Sequence, residues 1–178
     1  RENMASICHV GDSRVYHIRV RDGAEDKGRD NVSPKAGDNR SDADNAGDAG
    51  DGNDAGDAGG AGDSKITQVT RDHTVGDYLV AQKLMKPEDV PSFQWHVLTQ
   101  AVGASESLMP ETNLLKLEPF DILLLCSDGL NTMLTDSEIY QVISMHQGRI
   151  QEGAQALIDA ANRKGGLDNI SVILIECE

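Results

Sequence analysis

The stretch FDILLLCSDGL at residues 120–130 decides the fold of this chain. Its apolar run at 122–126 predicts a β-strand that is buried on both faces, because a strand with one face in water alternates apolar and polar residues. Asp128 and Gly129 follow this strand after Ser127, and glycine permits a tight turn at the rim of a sheet. A carboxylate is therefore expected where the buried sheet meets solvent.

Two further aspartates have the same local context. Asp12 lies in VGDSR and Asp168 in GGLDNISVILI, each beside a glycine turn at one end of an apolar strand. If the three carboxylates met at one rim, they would form a site for hard divalent cations, which prefer oxygen ligands. Asp and Gly are also the commonest turn residues, so for each aspartate a purely structural role in a turn or cap stays open.

Short apolar runs on both sides of the central strand predict five more strands. They are MASICHV at 4–10, RVYHIRV at 14–20, KITQVT at 65–70, NLLKLE at 113–118 and NISVILIE at 169–176. The first two flank the short turn GDS, which predicts a β-hairpin. The last run is almost continuously apolar, which predicts a second buried strand.

Three segments predict helices: residues 74–85, a capping box from Thr135 to Glu138, and residues 151–164 with a glycine stop. The irregular stretch at 87–103 carries Phe93 and Trp95, which we expect to pack against the body of the domain. Strands, then two helices, then a closing strand predict an α+β fold with antiparallel pairing rather than a regular βαβ repeat.

Residues 22–64 differ sharply in composition, with twelve acidic and four basic residues and ten of the 18 glycines. They predict a disordered acidic insertion, because they offer too little apolar area to offset the entropy of ordering. The strands on either side are expected to pair directly, since loop-closure entropy grows slowly with length. An acidic calcium-buffering role remains a distant alternative, because the Asp- and Gly-rich repeats lack the glutamate and the flanking helices of a calcium loop.

The 178 residues suffice for one domain, and the net charge of −14 argues against nucleic acid and anionic membrane surfaces as partners. No apolar run is long enough to predict a membrane span. Cys8, Cys126 and Cys177 are widely spaced in or beside apolar runs. They predict buried, reduced thiols and a cytoplasmic location.

Five strings carry a resemblance to a known family. CHVGDSRVYHI, QVTRDHT, LTQAVGA, FDILLLCSDGL and GGLDNISVILI, in this order, resemble the successive motifs of the metal-dependent serine/threonine protein phosphatases of the 2C type, the PPM family, and especially its bacterial branch. The resemblance covers residues 4–21 and 65–177. It implies two antiparallel β-sheets packed as a sandwich flanked by helices, and hydrolysis of phosphoserine or phosphothreonine in a phosphorylated protein.

The same resemblance implies a cofactor and site residues. In the family a water is activated between two Mn²⁺ or Mg²⁺ ions. By motif, Asp128 and Asp168 are the implied ligands of the binuclear centre, and Asp12 with Asp128 is the implied holder of a third ion. The stretch after RDHT corresponds to the family's flap, which shapes the approach of the substrate.

Two family motifs do not occur in this sequence: the Asn-Glu-Asp string and the Asp-Gly-His turn whose aspartate bridges both metals. We therefore expect residues 1–178 to form the C-terminal part of one phosphatase-like domain, interrupted by the insertion at 22–64. Its metal site would be incomplete, and it would be inactive without an N-terminal part. The alternative is a noncatalytic phosphatase-like binding or regulatory module, so whether the chain acts as an enzyme stays open, and no catalytic residue is assigned.

Overall fold

The computed structural model describes residues 3–20, 65–104 and 107–178 of the chain. The strands in this part are Met4–His9 (β1), Arg14–Arg19 (β2), Lys65–Gln68 (β3), Glu111–Lys116 (β4), Ile122–Cys126 (β5) and Val172–Glu176 (β6). The helices are Val75–Ala81 (α1), Asp128–Asn131 (α2), Asp136–Ser144 (α3) and Ile150–Arg163 (α4), with two short 3-10 helices at Pro87–Asp89 and Ser92–His96. Within the described residues, no helix is long and apolar enough to span a membrane.

The strands form two antiparallel sheets, which confirms the predicted α+β class. The larger sheet has the order β3-β2-β5-β6, and the smaller one pairs β1 with β4. In the larger sheet Tyr16 of β2 lies opposite Leu124 of β5, and Leu124 lies opposite Leu174 of β6. These three apolar residues form a row across the sheet, on the face that the helices cover.

The hydrophobic core lies between the larger sheet and helices α2, α3 and α4. Its most buried members share one property: each is apolar and faces this layer. They are Tyr16, Ile18, Ile122, Leu124, Cys126, Leu130, Leu134, Ile139, Ile143, Leu157 and Ala161. Four of the five residues of β5 are buried, as its continuous apolar run predicts. The capping box at the start of α3 is also confirmed, because the side chains of Thr135 and Glu138 bond each other's backbone N–H.

The predicted hairpin of β1 and β2 is wrong. Strand β1 pairs with β4, whereas β2 pairs with β3 and β5 in the other sheet. The connection passes through Gly11, whose φ of +106° turns the chain out of one sheet and into the other. A short turn between two strands predicts a hairpin by its length alone, and that length also suits a crossing between two sheets.

The closing strand β6 is not fully buried, contrary to the prediction. Its side chains alternate: Ile173 and Ile175 are 58% and 50% exposed, while Val172 and Leu174 pack against the core. Strand β6 is the edge of the larger sheet within the described residues.

Two other side chains expected to be buried are exposed: the Phe93 ring and the Cys8 thiol. Trp95 does pack against the body, because it leaves no room for a side chain at Gly76.

Strands β2 and β3 pair directly, with Ile18 opposite Ile66, as predicted for the strands that flank the acidic segment. The segment itself, residues 22–64, lies outside the described residues. The predicted disorder of this insertion therefore stays a prediction.

Candidate functional site

Asp12 and Asp128 line one small cavity of about 230 Å³ at the rim of the larger sheet. Burial and the nearby charge of Asp128 raise the pKa of Asp12 above its usual range, and Asp72 adds to this while Arg14 opposes it. The two carboxylates are thus close enough to repel each other. The structure brings together two of the three aspartates that the sequence singles out.

The position of Asp12 follows from the crossing between the sheets. Gly11, directly before it, is held by the segment that precedes α1: the His73 N–H donates to the Gly11 carbonyl at 2.8 Å, and the Gly11 N–H donates to His73 Nδ1 at 3.2 Å. These bonds fix the turn between β1 and β2, so Asp12 lies at the rim of the larger sheet where β2 begins.

Asp128 is the first residue of α2, and Ser127 alone separates it from the end of β5 at Cys126. The Ser127 hydroxyl donates to the Asn169 carbonyl at 2.9 Å and accepts from the Ser171 N–H at 3.0 Å. Gly129 lies so close that an added Cβ would be 2.5 Å from the Asn169 carbonyl oxygen. The segments that carry Asp128 and Asp168 are therefore packed backbone to backbone at one rim.

The Asp168 carboxylate itself lies outside this cavity. Asp168 is exposed, its Oδ1 accepts the Asn169 N–H at 2.7 Å, and it is not among the residues that line the space between Asp12 and Asp128. The segment of Asp168 lies beside that of Asp128, as expected from the sequence. The Asp168 side chain, however, bonds the backbone of the next residue in this structure.

Arg14 and Asp72 form the polar wall of the cavity, and neither was singled out from the sequence. Arg14 donates to both carboxylate oxygens of Asp72, and the Gln68 amide donates to Asp72 Oδ1 at 3.1 Å. Asp72 lies in the RDHT string, 58 residues after Arg14. Sequence spacing therefore gives no signal that Arg14 and Asp72 pair. The contact leaves the Arg14 charge largely compensated.

Asn131 is a third residue that sequence reasoning missed. It lines the same cavity, and its Oδ1 is buried without a hydrogen-bond partner. A buried acceptor without a donor is costly and needs an explanation. Trp95 and His96 of the second 3-10 helix complete this side of the cavity, in the stretch expected to shape access to the site.

No family model matches the chain. Among curated proteins it is 34% identical over 113 residues to a protein of Streptococcus pyogenes named as 2C-type protein phosphatase, which is 63% of this chain and 46% of that protein. It is also 34% identical over 109 residues to protein phosphatase PhpP of Streptococcus pneumoniae, 61% of this chain and 44% of that protein. The chain thus spans about half the length of the curated relatives it matches.

Two solved structures of serine/threonine phosphatases have a similar fold. The serine/threonine phosphatase of S. agalactiae superimposes with a TM-score of 0.68 at 26% identity, covering 99% of this chain and 55% of that one. The catalytic domain of the phosphatase PstP in complex with two manganese ions superimposes with a TM-score of 0.63 at 24% identity, covering 99% and 54%. In sequence and in fold, the chain is similar to part of the bacterial serine/threonine protein phosphatases of the 2C type.

Proposed function

We propose that this chain is the C-terminal part of a cytoplasmic, metal-dependent protein serine/threonine phosphatase, which hydrolyses phosphoserine and phosphothreonine once the remainder of its domain is present. The observation that carries the proposal is the cavity shared by Asp12, Asp128 and Asn131. The similarity to phosphatases that are about twice as long supports it.

The residues of this cavity fit a hard divalent cation. Asp12 and Asp128 offer carboxylate oxygens, and Asn131 offers a buried oxygen that lacks a donor. Burial and, second, the charge of Asp128 raise the pKa of Asp12, and a bound cation would favour the charged form of this carboxylate. Mn²⁺ or Mg²⁺ would be held by Asp12 and Asp128, with Asp168 reaching the site only after its side chain turns.

When bound, Mn²⁺ or Mg²⁺ supplies a water of lowered pKa for attack on phosphorus. The chain's own residues have separate tasks. Asp12 and Asp128 provide negative charge at the rim, and Arg14, engaged by Asp72, keeps the wall of the cavity in place. Trp95 and His96 narrow the access to the carboxylates.

Mn²⁺ binding tests the cation site directly. Calorimetric titration of the chain should detect Mn²⁺ binding that Asp12→Asn and Asp128→Asn each weaken by about tenfold or more. Asp159→Asn is the matched control, because Asp159 is exposed on α4 and bonds the neighbouring Gln155. Equal Mn²⁺ affinity in all three variants would contradict the assignment of the cavity.

The second test is catalytic. The sequence holds no Asp-Gly-His turn, and members of a catalytic unit that act together are not replaced by those that remain. The chain alone should therefore give no appreciable turnover of a phosphothreonine peptide at millimolar Mn²⁺. Turnover comparable to that of a complete phosphatase, and abolished by Asp128→Asn, would show that the proposal of an incomplete site is wrong.

A noncatalytic phosphatase-like binding or regulatory module is the second candidate. The two readings differ in the DNA upstream of the codon for Arg1. An in-frame Asn-Glu-Asp string and an Asp-Gly-His-Gly turn there would support the phosphatase, whereas a start codon would support the module.

A further inference from the structure

His9, His73 and Glu111 lie together at the end of the smaller sheet. His9 ends β1 and Glu111 begins β4, and the two are direct cross-strand partners, so their side chains share one face. His73 reaches this face from the segment before α1. Its ring centroid is 4.9 Å from that of His9, and its Nε2 is 3.9 Å from Glu111 Oε2. One ligand atom from each residue lies within 4.8 Å of the others.

His9 is the unusual member of this cluster. It is only 8% exposed, and neither Nδ1 nor Nε2 has a hydrogen-bond partner. A buried polar group without a partner costs about 1–3 kcal/mol relative to a satisfied one. A ligand bound to the imidazole of His9 would supply the partner that the neighbouring side chains do not.

Glu111 and His73, the other two members of the cluster, each have an atom that could bind the same ligand. Glu111 Oε1 accepts from the Asn113 amide at 2.8 Å, and Oε2 accepts only a long bond of 3.3 Å from the Arg71 N–H. The Gly11 N–H donates to His73 Nδ1 at 3.2 Å, so this nitrogen is an acceptor and the ring is neutral in this structure. A cavity of about 380 Å³ borders His73 and Glu111 and gives access from solvent.

We propose that His9, His73 and Glu111 bind a transition-metal ion, with Zn²⁺ the preferred one. Two imidazole nitrogens and one carboxylate oxygen are a common Zn²⁺ ligand set, with a fourth position left for water. Ligands of tetrahedral Zn²⁺ lie about 3–3.5 Å apart, so the three ligand atoms, which lie within 4.8 Å of one another, must approach by up to about 1.5 Å. Mg²⁺, which prefers oxygen, should not compete for this site.

Zn²⁺ binding requires one proton to move. The Gly11 N–H donates to His73 Nδ1, so the ring proton is on Nε2 in this structure. For Nε2 to bind Zn²⁺, that proton moves to Nδ1, the ring stays neutral, and the Gly11 hydrogen bond breaks. The site is therefore coupled to the backbone directly before Asp12.

Zn²⁺ titration of the full chain, with Co²⁺ as an optical probe, tests this proposal. We expect one tightly bound Zn²⁺, a tetrahedral Co²⁺ absorption band, and a shift of the Gly11 amide resonance on binding. His9→Phe and Glu111→Gln should each weaken Zn²⁺ binding by about tenfold or more. His146→Gln is the matched control, because His146 lies in the turn after α3 and bonds the Val142 carbonyl.

Asp128→Asn separates this site from the proposed phosphatase site: it should weaken Mn²⁺ binding and leave Zn²⁺ binding unchanged. His9→Phe keeps a ring of similar size in a buried position, and its thermal melt shows whether it folds. If it does not fold, Glu111→Gln and the Gly11 resonance in the wild-type chain decide. No Zn²⁺ binding by the wild-type chain, equal binding by the folded variants, or no movement of the Gly11 resonance would overturn the proposal.

Discussion

The guanidinium of Arg14 donates hydrogen bonds to both oxygens of the Asp72 carboxylate. Arg14 Nε lies 3.0 Å from Oδ1 and 3.1 Å from Oδ2, and Nη2 lies 2.8 Å from Oδ2. Nη1 donates to the Tyr16 hydroxyl at 2.9 Å. Burial alone would lower the pKa of Arg14, but the bonds to Asp72 and Tyr16 outweigh it and raise the pKa. This pair ties the first residue of β2 to the segment before α1.

Replacing Asp72 with Asn should destabilise the chain by about 1–3 kcal/mol, because the hydrogen bonds to a charged partner are weakened while Arg14 stays partly buried. Urea unfolding at pH 7 measures the loss. The exposed Asp159→Asn should stay within about 0.5 kcal/mol of the parent chain. If both variants lost the same small amount, the Arg14–Asp72 pair would not be a stabilising contact.

Two glycine substitutions should have opposite effects. Gly129→Ala would place a Cβ 2.5 Å from the Asn169 carbonyl oxygen, so the segments of Asp128 and Asp168 must separate, and we expect a loss of about 1–3 kcal/mol. Gly153→Ala in α4 meets its nearest atom at 3.4 Å. It should stabilise by about 0.5–1 kcal/mol through helix propensity. Paired thermal melts check both signs, and equal shifts would refute the packing argument.

Asp121 should make the chain sensitive to acid. It is 2% exposed and accepts from Arg19 at two 2.8 Å contacts, from the Glu118 N–H and from His17. Burial by itself would raise its pKa, but these bonds outweigh burial and lower the pKa from 3.8 to about 2. The carboxylate therefore stabilises the fold above pH 4, on the order of 2 kcal/mol.

That contribution disappears as the pH falls from about 4 through 2, because the folded state must then take up a proton against these bonds. Urea unfolding of the chain and of Asp121→Asn at several pH values tests this. The difference in unfolding free energy should be constant above pH 5 and shrink at lower pH. A difference that does not change with pH would contradict the assignment to this carboxylate.

Deleting residues 24–62 should leave the fold of the rest intact. Strands β2 and β3 pair directly through Ile18 and Ile66, and a shorter connection lowers the entropy cost of closing this hairpin. Thermal melts of the deleted and the full chain should agree within a few degrees. A drop of many degrees would show that the acidic segment packs on the domain.

Local patterns predicted the local parts of this fold. The apolar run of β5 and the capping box of α3 each depend on residues a few positions apart, and both are as expected. The partner of β1 depends on β4, about a hundred residues later, which periodicity does not encode. The exposed face of β6 was missed for a related reason, since an apolar run predicts burial without naming what covers it.

The residues of the candidate site also fall into those that local sequence predicts and those that it does not. Asp12 and Asp128 were predictable because each borders a strand, and strand ends meet at one rim. The side-chain direction of Asp168 depends on its own turn, and nothing in a sequence reports a rotamer. Asn131 was missed because a single Asn after a helix start is an ordinary residue until its oxygen proves to be buried without a donor.

Ile173 and Ile175 also govern how the chain behaves in concentrated solution. Their half-exposed side chains stand on β6, which is an edge strand of the larger sheet within the described residues, so a second molecule could add its own strand there. At neutral pH the net charge of −14 keeps molecules apart. Acidification removes that repulsion and leaves the apolar edge unchanged, so purification at mildly alkaline pH and low salt should keep the chain monomeric.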